Sequence, residues 1–203
     1  MDHDESFRLH GRWLSRTVAD VVELFRGYSG QWWIAGGWAI EAFTNIARPH
    51  SDIDPSIPRS DTSLFRAHFH ERYDIWVADQ GSLRPLEGLS GGVPLSCNNL
   101  WLRASQSKLW EYDLLLMDAG PAGWFYKRDP RVRLPFDQIL WTKDGVRYLR
   151  PEVQLLFKAP GLRRQDQLDF DAALPLLDAP ARHWLRTALQ TAHPEHPWAN
   201  ALS

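Results

Sequence analysis

The sequence predicts an α+β fold, with a mixed sheet and flanking helices over residues 1–150 and a helical C-terminal portion over 151–203 packed on it. Two observations carry this. Short apolar or alternating runs such as QWWIA, DIWVAD, LSCNNLWLRA and KLWEYDLLLMDA have strand length and strand period, with helix-period stretches between the early ones. Near residue 150 the pattern changes to helix alone. A chain of 203 residues can bury one substantial core, in one domain or in a domain with a small companion.

In chain order, RWLSRTVADVVELFRGY (12–28) has apolar residues near helical spacing, and glycines bracket its end. QWWIA reads as a buried strand, and Gly36-Gly37 turn it into a helix, WAIEAFTNIA, that stops before Pro49. Ser51 to Ile57 suggests a strand, shortened by Pro55 and Pro58, which have no N–H for a central ladder. SDTSLFRAHFHERY is a capped helix and DIWVAD a strand, and residues 81–94, with four glycines and two prolines, form a loop or hairpin. Paired strands follow, then short strands at WFYKR, DQILW and GVRYL. PEVQLLFKA starts the helical part with Pro151 in its first turn, and two further helices are divided by Pro180.

Composition removes several classes of function. A net charge of −2 gives no field for holding a long polyanion, so nucleic acid is not an expected partner. A lone Cys97 excludes an internal disulfide framework or a cysteine zinc cage. No run reaches the roughly 20 apolar residues of a membrane helix, and MDHDESFRLH has no apolar signal core; a cytoplasmic location is expected. Most of the eleven tryptophans sit beside apolar residues and are expected in the core.

The chemistry concentrates in three stretches. If residues 51–57 are extended, Asp52 and Asp54 share a face, their positions about 7 Å apart. Two such carboxylates suit a hard, oxygen-seeking ion, and magnesium, which completes its shell with water and phosphates, is the natural choice. A third carboxylate would let the site hold two ions. WEYDLLL offers Glu111 and Asp113, and Asp113, deeper in the apolar run, is preferred over Glu111. Gly36 and Gly37 let backbone approach a phosphate at the positive end of the helix they open.

GGWAIEAF, then RPHSDID, then WEYDLLL closely resembles the nucleotidyltransferase superfamily that includes DNA polymerase β. Within it, the likeness is to the small nucleotidyltransferases of aminoglycosides and lincosamides. The resemblance implies a polymerase-β-like fold and transfer of a nucleoside monophosphate from a triphosphate, ATP by preference, to a hydroxyl of a small acceptor, giving antibiotic resistance. It implies two magnesium ions held by Asp52, Asp54 and Asp113, with Asp113 also a candidate general base, and Gly36 and Gly37 at the phosphates. In the helical part it implies Lys158 as a phosphate-neutralising lysine and Asp166 and Asp169 as polar cleft positions, with Arg128 and Arg131 as further candidates for the triphosphate. Glu41, Glu87 and Glu111 are candidates for attracting a cationic acceptor.

Two other readings stay open: a toxin–antitoxin-type enzyme modifying a protein or tRNA, and a relative that binds nucleotide without catalysis. Other features are read as structural. An EF-hand beginning at Asp52 fails at Ile57 and Ser63, SGG (90–92) lacks a P-loop ending, His68 and His70 do not face each other on a helix, and Cys97 is a core thiol. His193 and His196 fall in a proline-flanked tail expected to pack or to face solvent.

Overall fold

Thr17 starts the first helix by capping it. Its hydroxyl accepts from the Asp20 N–H at 3.4 Å, and the Asp20 carboxylate accepts from the Thr17 N–H at 2.8 Å. This reciprocal cap confines the helix to Val18–Leu24, inside the 12–28 expected, and Trp13 instead makes a bridge to Trp110. The computed structural model describes residues 11–105, 107, 109–121 and 123–202. The N-terminal decapeptide read above for a signal core, and Lys108 at the head of KLWEYDLLLMDA, lie outside the described residues.

The chain divides into two compact units, each discontinuous in sequence, and neither changes over at residue 150. One takes the described part of Met1–Trp32 with His50–Met117; the other takes Trp33–Pro49 with Asp118–Ser203. Elements are numbered along the whole chain.

In the first unit lie α1 (Val18–Leu24), β2 (Pro55–Pro58), α3 (Thr62–Phe69), β3 (Tyr73–Asp79), β4 (Ser82–Pro85), β5 (Asn99–Ala104) and β6 (Tyr112–Met117). The strands run in the order β2-β6-β5-β3-β4, parallel between β2 and β6 and antiparallel elsewhere. Helices α1 and α3 and the segment after α1 share an aromatic core in which Phe25 stacks on Trp32 at 4.7 Å and Phe65 meets Phe69 at 4.4 Å. Trp13, Trp76, Trp101 and Trp110 form a second cluster, with the Arg103 guanidinium over the Trp76 and Trp110 rings. Cys97 is fully buried, as a core thiol should be.

The second unit holds β1 (Trp33–Ile34), α2 (Gly36–Thr44), β7 (Ala119–Gly120), β8 (Gly123–Phe125), β9 (Arg133–Leu134), β10 (Leu140–Lys143) and β11 (Val146–Leu149). Its helices continue with α4 (Pro151–Lys158), α5 (Arg164–Ala173), α6 (Ala179–Ala192) and α7 (Trp198–Ala201). β1 pairs in parallel with β11, Ile34 opposite Tyr148, and β10 runs antiparallel to β11. β7, β8 and β9 form a small antiparallel sheet. Asn45 ends α2 in the left-handed conformation, and the Lys143 ammonium donates to the Ala42 carbonyl at 2.8 Å and to the Asn45 side chain. Part of the tail after α6 becomes α7: Trp198 stacks on Phe170 at 4.3 Å, and a ring nitrogen of buried His196 lies 3.0 Å from the Ala159 carbonyl. Among the described residues, no helix is long and apolar enough to cross a membrane.

Candidate active site

The expected strand over 51–57 forms as Pro55–Pro58, so Asp52 and Asp54 stand immediately before it. Ser56 lies opposite Leu115, Ile57 opposite Leu116 and Pro58 opposite Met117 on β6. Because that register is parallel, the same two-residue step back from Ser56 and Leu115 reaches Asp54 on one chain segment and Asp113 on the other. The acids therefore stand at the leading ends of neighbouring strands.

Asp113 is held from its other side by β5. The Asn99 amide donates to its Oδ1 at 2.8 Å, and the Trp101 side chain, cross-strand neighbour in the ladder, also hydrogen-bonds to it. Burial pushes the Asp113 carboxyl up to about 7, and the Asp52 charge adds to the rise, against the two hydrogen bonds that favour the ionised form. Asp52 is thus near enough to feel and oppose ionisation of Asp113. Such like-charged oxygens are the donor chemistry magnesium takes. Among the described residues, no group of three or more His, Cys, Asp or Glu side chains is gathered to hold a metal ion.

Glu111, the fallback third acid, has a structural job. It is 5% exposed; one oxygen accepts from Arg16 at 2.6 Å and the other from the Ala104 N–H at 2.9 Å. Residue spacing could not separate Glu111 from Asp113, because the separation depends on which neighbours each acid meets.

In the second unit, Gly36 has φ +66°, which an L side chain adopts only under strain, while Gly37 has no positive φ. The helix starts at Gly36 rather than at Trp38, with no side-chain cap from Ala35. The Gly36 N–H is already taken: it donates to the Gln154 side chain of α4 at 2.7 Å, in a buried contact. It therefore does not belong to the set of free helix N–H groups expected at a phosphate. Gly36→Ala should cost about 1–2 kcal/mol through the left-handed backbone, read as a lower urea midpoint; an unchanged midpoint would contradict the strained turn.

Lys158 is 8% exposed, its ammonium 2.8 Å from Asp169 Oδ2 and 3.3 Å from Asp166 Oδ1. Both acids, expected as polar cleft positions, are almost wholly buried as its counter-ions. Arg48 closes one end of this network by donating to both Asp169 oxygens at 3.1 and 3.2 Å, and Arg163 closes the other on Asp166 at 2.9 and 3.1 Å. Arg163 and Lys158 hold the Asp166 carboxyl below its usual value in spite of burial. Arg131 is committed to Asp129 and the Thr191 carbonyl, whereas exposed Arg128 makes a 3.4 Å contact with the Tyr126 hydroxyl. Glu41 accepts from the Arg48 N–H at 3.0 Å, and Glu87 sits in a 3₁₀ turn at Leu86–Gly88.

Residues 17–84 match the family model described as aminoglycoside-2''-adenylyltransferase, a segment that carries Gly36, Gly37, Asp52 and Asp54. The solution structure of the antibiotic-resistance factor ANT(2'')-Ia aligns with a TM-score of 0.54 at 16% identity, over 85% of this chain and 89% of that one. The chain has the nucleotidyltransferase fold. Two further structures share the nucleotidyltransferase fold with it. The lincosamide antibiotic adenylyltransferase LnuA, lincomycin-bound, has a TM-score of 0.51 at 18% identity, over 80% of this chain and 97% of that one. ANT(2'')-Ia in complex with adenylyl-2''-tobramycin has a TM-score of 0.51 at 13% identity, over 84% and 94%. No curated protein matches the sequence. The expected fold class and the resemblance to aminoglycoside and lincosamide nucleotidyltransferases are thereby upheld.

Proposed function

We propose that this nucleotidyltransferase-fold protein moves a nucleoside monophosphate, adenylate in the first instance, from a triphosphate to a hydroxyl of an aminoglycoside- or lincosamide-type acceptor in the cytoplasm, with pyrophosphate leaving. The reading is supported above all by the parallel register that pairs the approach to β2 with that to β6, Asp54 with Asp113. The match of residues 17–84 to an adenylyltransferase family adds to it.

Asp52 and Asp54, with Asp113, would hold magnesium, which when bound offsets the phosphate charge and orients the triphosphate. Asp113 takes the proton of the acceptor hydroxyl, and Asn99 and Trp101 fix the direction in which its carboxylate points. Gly37 gives the backbone close access to a phosphate, and Arg128 and Lys158 are the proposed cationic contributors on the triphosphate side.

Incubation with each labelled triphosphate, magnesium and a panel of aminoglycosides and lincosamides should yield a labelled antibiotic, with ATP the preferred donor. In parallel, magnesium with ATP should raise the melting temperature of the wild type and much less that of Asp54→Asn. A labelled protein band without a labelled small molecule would replace the acceptor class. Equal thermal shifts in the two proteins would remove the metal assignment.

A further inference from the structure

The second unit contains a cavity of about 490 Å³, a volume suited to a small organic ligand. None of the candidate site residues lines it. Phe43 of α2, Trp141 of β10 and Trp184 of α6 supply its aromatic walls, and Leu176, a large apolar side chain 52% exposed, also lines it.

The polar side chains of the lining are two acids, Glu152 and Asp178, with one base, Arg150, and the amide of Gln138. Glu152, in the first turn of α4, is 5% exposed. Its carboxylate has one long ion pair, Oε1 to the Arg150 guanidinium at 3.5 Å, and Arg150 is half exposed. Asp178 lies alongside as the N-cap of α6, accepting from the Ala181 N–H at 2.8 Å. Burial pushes the Glu152 carboxyl up and Asp178 adds to the rise, while the backbone N–H of Glu152 itself and the Arg150 guanidinium oppose it only in part. The two helix N-termini that meet the cavity already carry their own acids, so an incoming anion would face two carboxylates. A buried carboxylate beside aromatic faces favours the opposite sign of charge.

We propose that this cavity is a binding site for an organic monocation with an apolar body, such as a ring- or alkyl-bearing amine or quaternary ammonium. The apolar body packs between Trp141 and Trp184, and the cationic head lies against Glu152. The ligand thereby supplies the close counter-charge that Arg150, at 3.5 Å, supplies poorly.

The test is calorimetric titration of the full chain with phenyltrimethylammonium and with its neutral isostere tert-butylbenzene. Phenyltrimethylammonium should bind with Kd below about 1 mM. Glu152→Gln should weaken it about tenfold or more, and Trp184→Ala, which trims a partly exposed side chain, should do the same. Circular dichroism melts verify that each variant is folded, and Glu152→Asp, which keeps the charge, should retain part of the affinity. Equal binding of tert-butylbenzene, wild-type affinity in both variants, or no heat with phenyltrimethylammonium at about 10 mM would each overturn the proposal.

Discussion

Asp113→Asn should reduce nucleotidyl transfer by about 10²–10⁴-fold, the usual worth of a general base, while making the metal-free protein more stable at pH 8. The two effects have one source. In the folded chain the carboxyl titrates at about 7, against an ordinary value of 3.8, so between those values the folded state keeps a proton that the unfolded chain releases. Stability from this group is fully present below pH 3.8, falls as pH rises through the window, and stays lost above pH 7. Above the window the ionised carboxylate costs on the order of 4 kcal/mol. An asparagine carries no such charge and its carbonyl can still accept from Asn99. In EDTA, the melting temperature of Asp113→Asn should exceed that of the wild type at pH 8, with the gap closing toward pH 4. A variant that loses activity and melts lower at pH 8 would show instead that the ionised Asp113 is well satisfied in the fold.

Asp169→Ala should cost about 3–5 kcal/mol, because it leaves Lys158 and Arg48 facing each other without the carboxylate between them. Lys158→Met should cost much less, since Asp166 keeps Arg163 and Asp169 keeps its two-pronged contact with Arg48. Adding Lys158→Met to Asp169→Ala should recover part of the loss, a coupling that urea unfolding of the four proteins would measure. The same lysine variant tests chemistry. If Lys158 neutralises phosphates, Lys158→Met raises KM for the triphosphate about tenfold or more with only a small change in stability. An unchanged KM would leave Lys158 as the counter-ion of two buried acids and nothing else.

Periodicity made the C-terminal helices legible, and Pro151, read as a first-turn proline, is where α4 starts. The glycine pair and the two spaced aspartates were visible for the same reason, since each is a short pattern with its own geometry. What could not be read was anything set by register. Asn99 and Trp101 orient Asp113 only because β5 lies beside β6 in one alignment, and an asparagine inside an apolar strand was their sole trace. Gln154 reaches Gly36, and Arg48 reaches Asp169, across more than a hundred residues of chain. The lysine beside two acids in α5 looked available in the sequence because burial is invisible there. The strand expected over 51–57 begins only at Pro55 and runs through Pro58, which leaves both aspartates ahead of the ladder instead of within it.

The pairing of β1 with β11 also bears on how the chain is made. Ile34 and Trp33 leave the ribosome early, but their hydrogen-bonding partner around Tyr148 emerges roughly a hundred residues later, on the order of ten seconds at ordinary synthesis rates. Until then this segment, fully buried in the fold, is without its β11 neighbour. Slowing translation ahead of Val146 should prolong that stage and lower the soluble yield more than slowing it after Leu149.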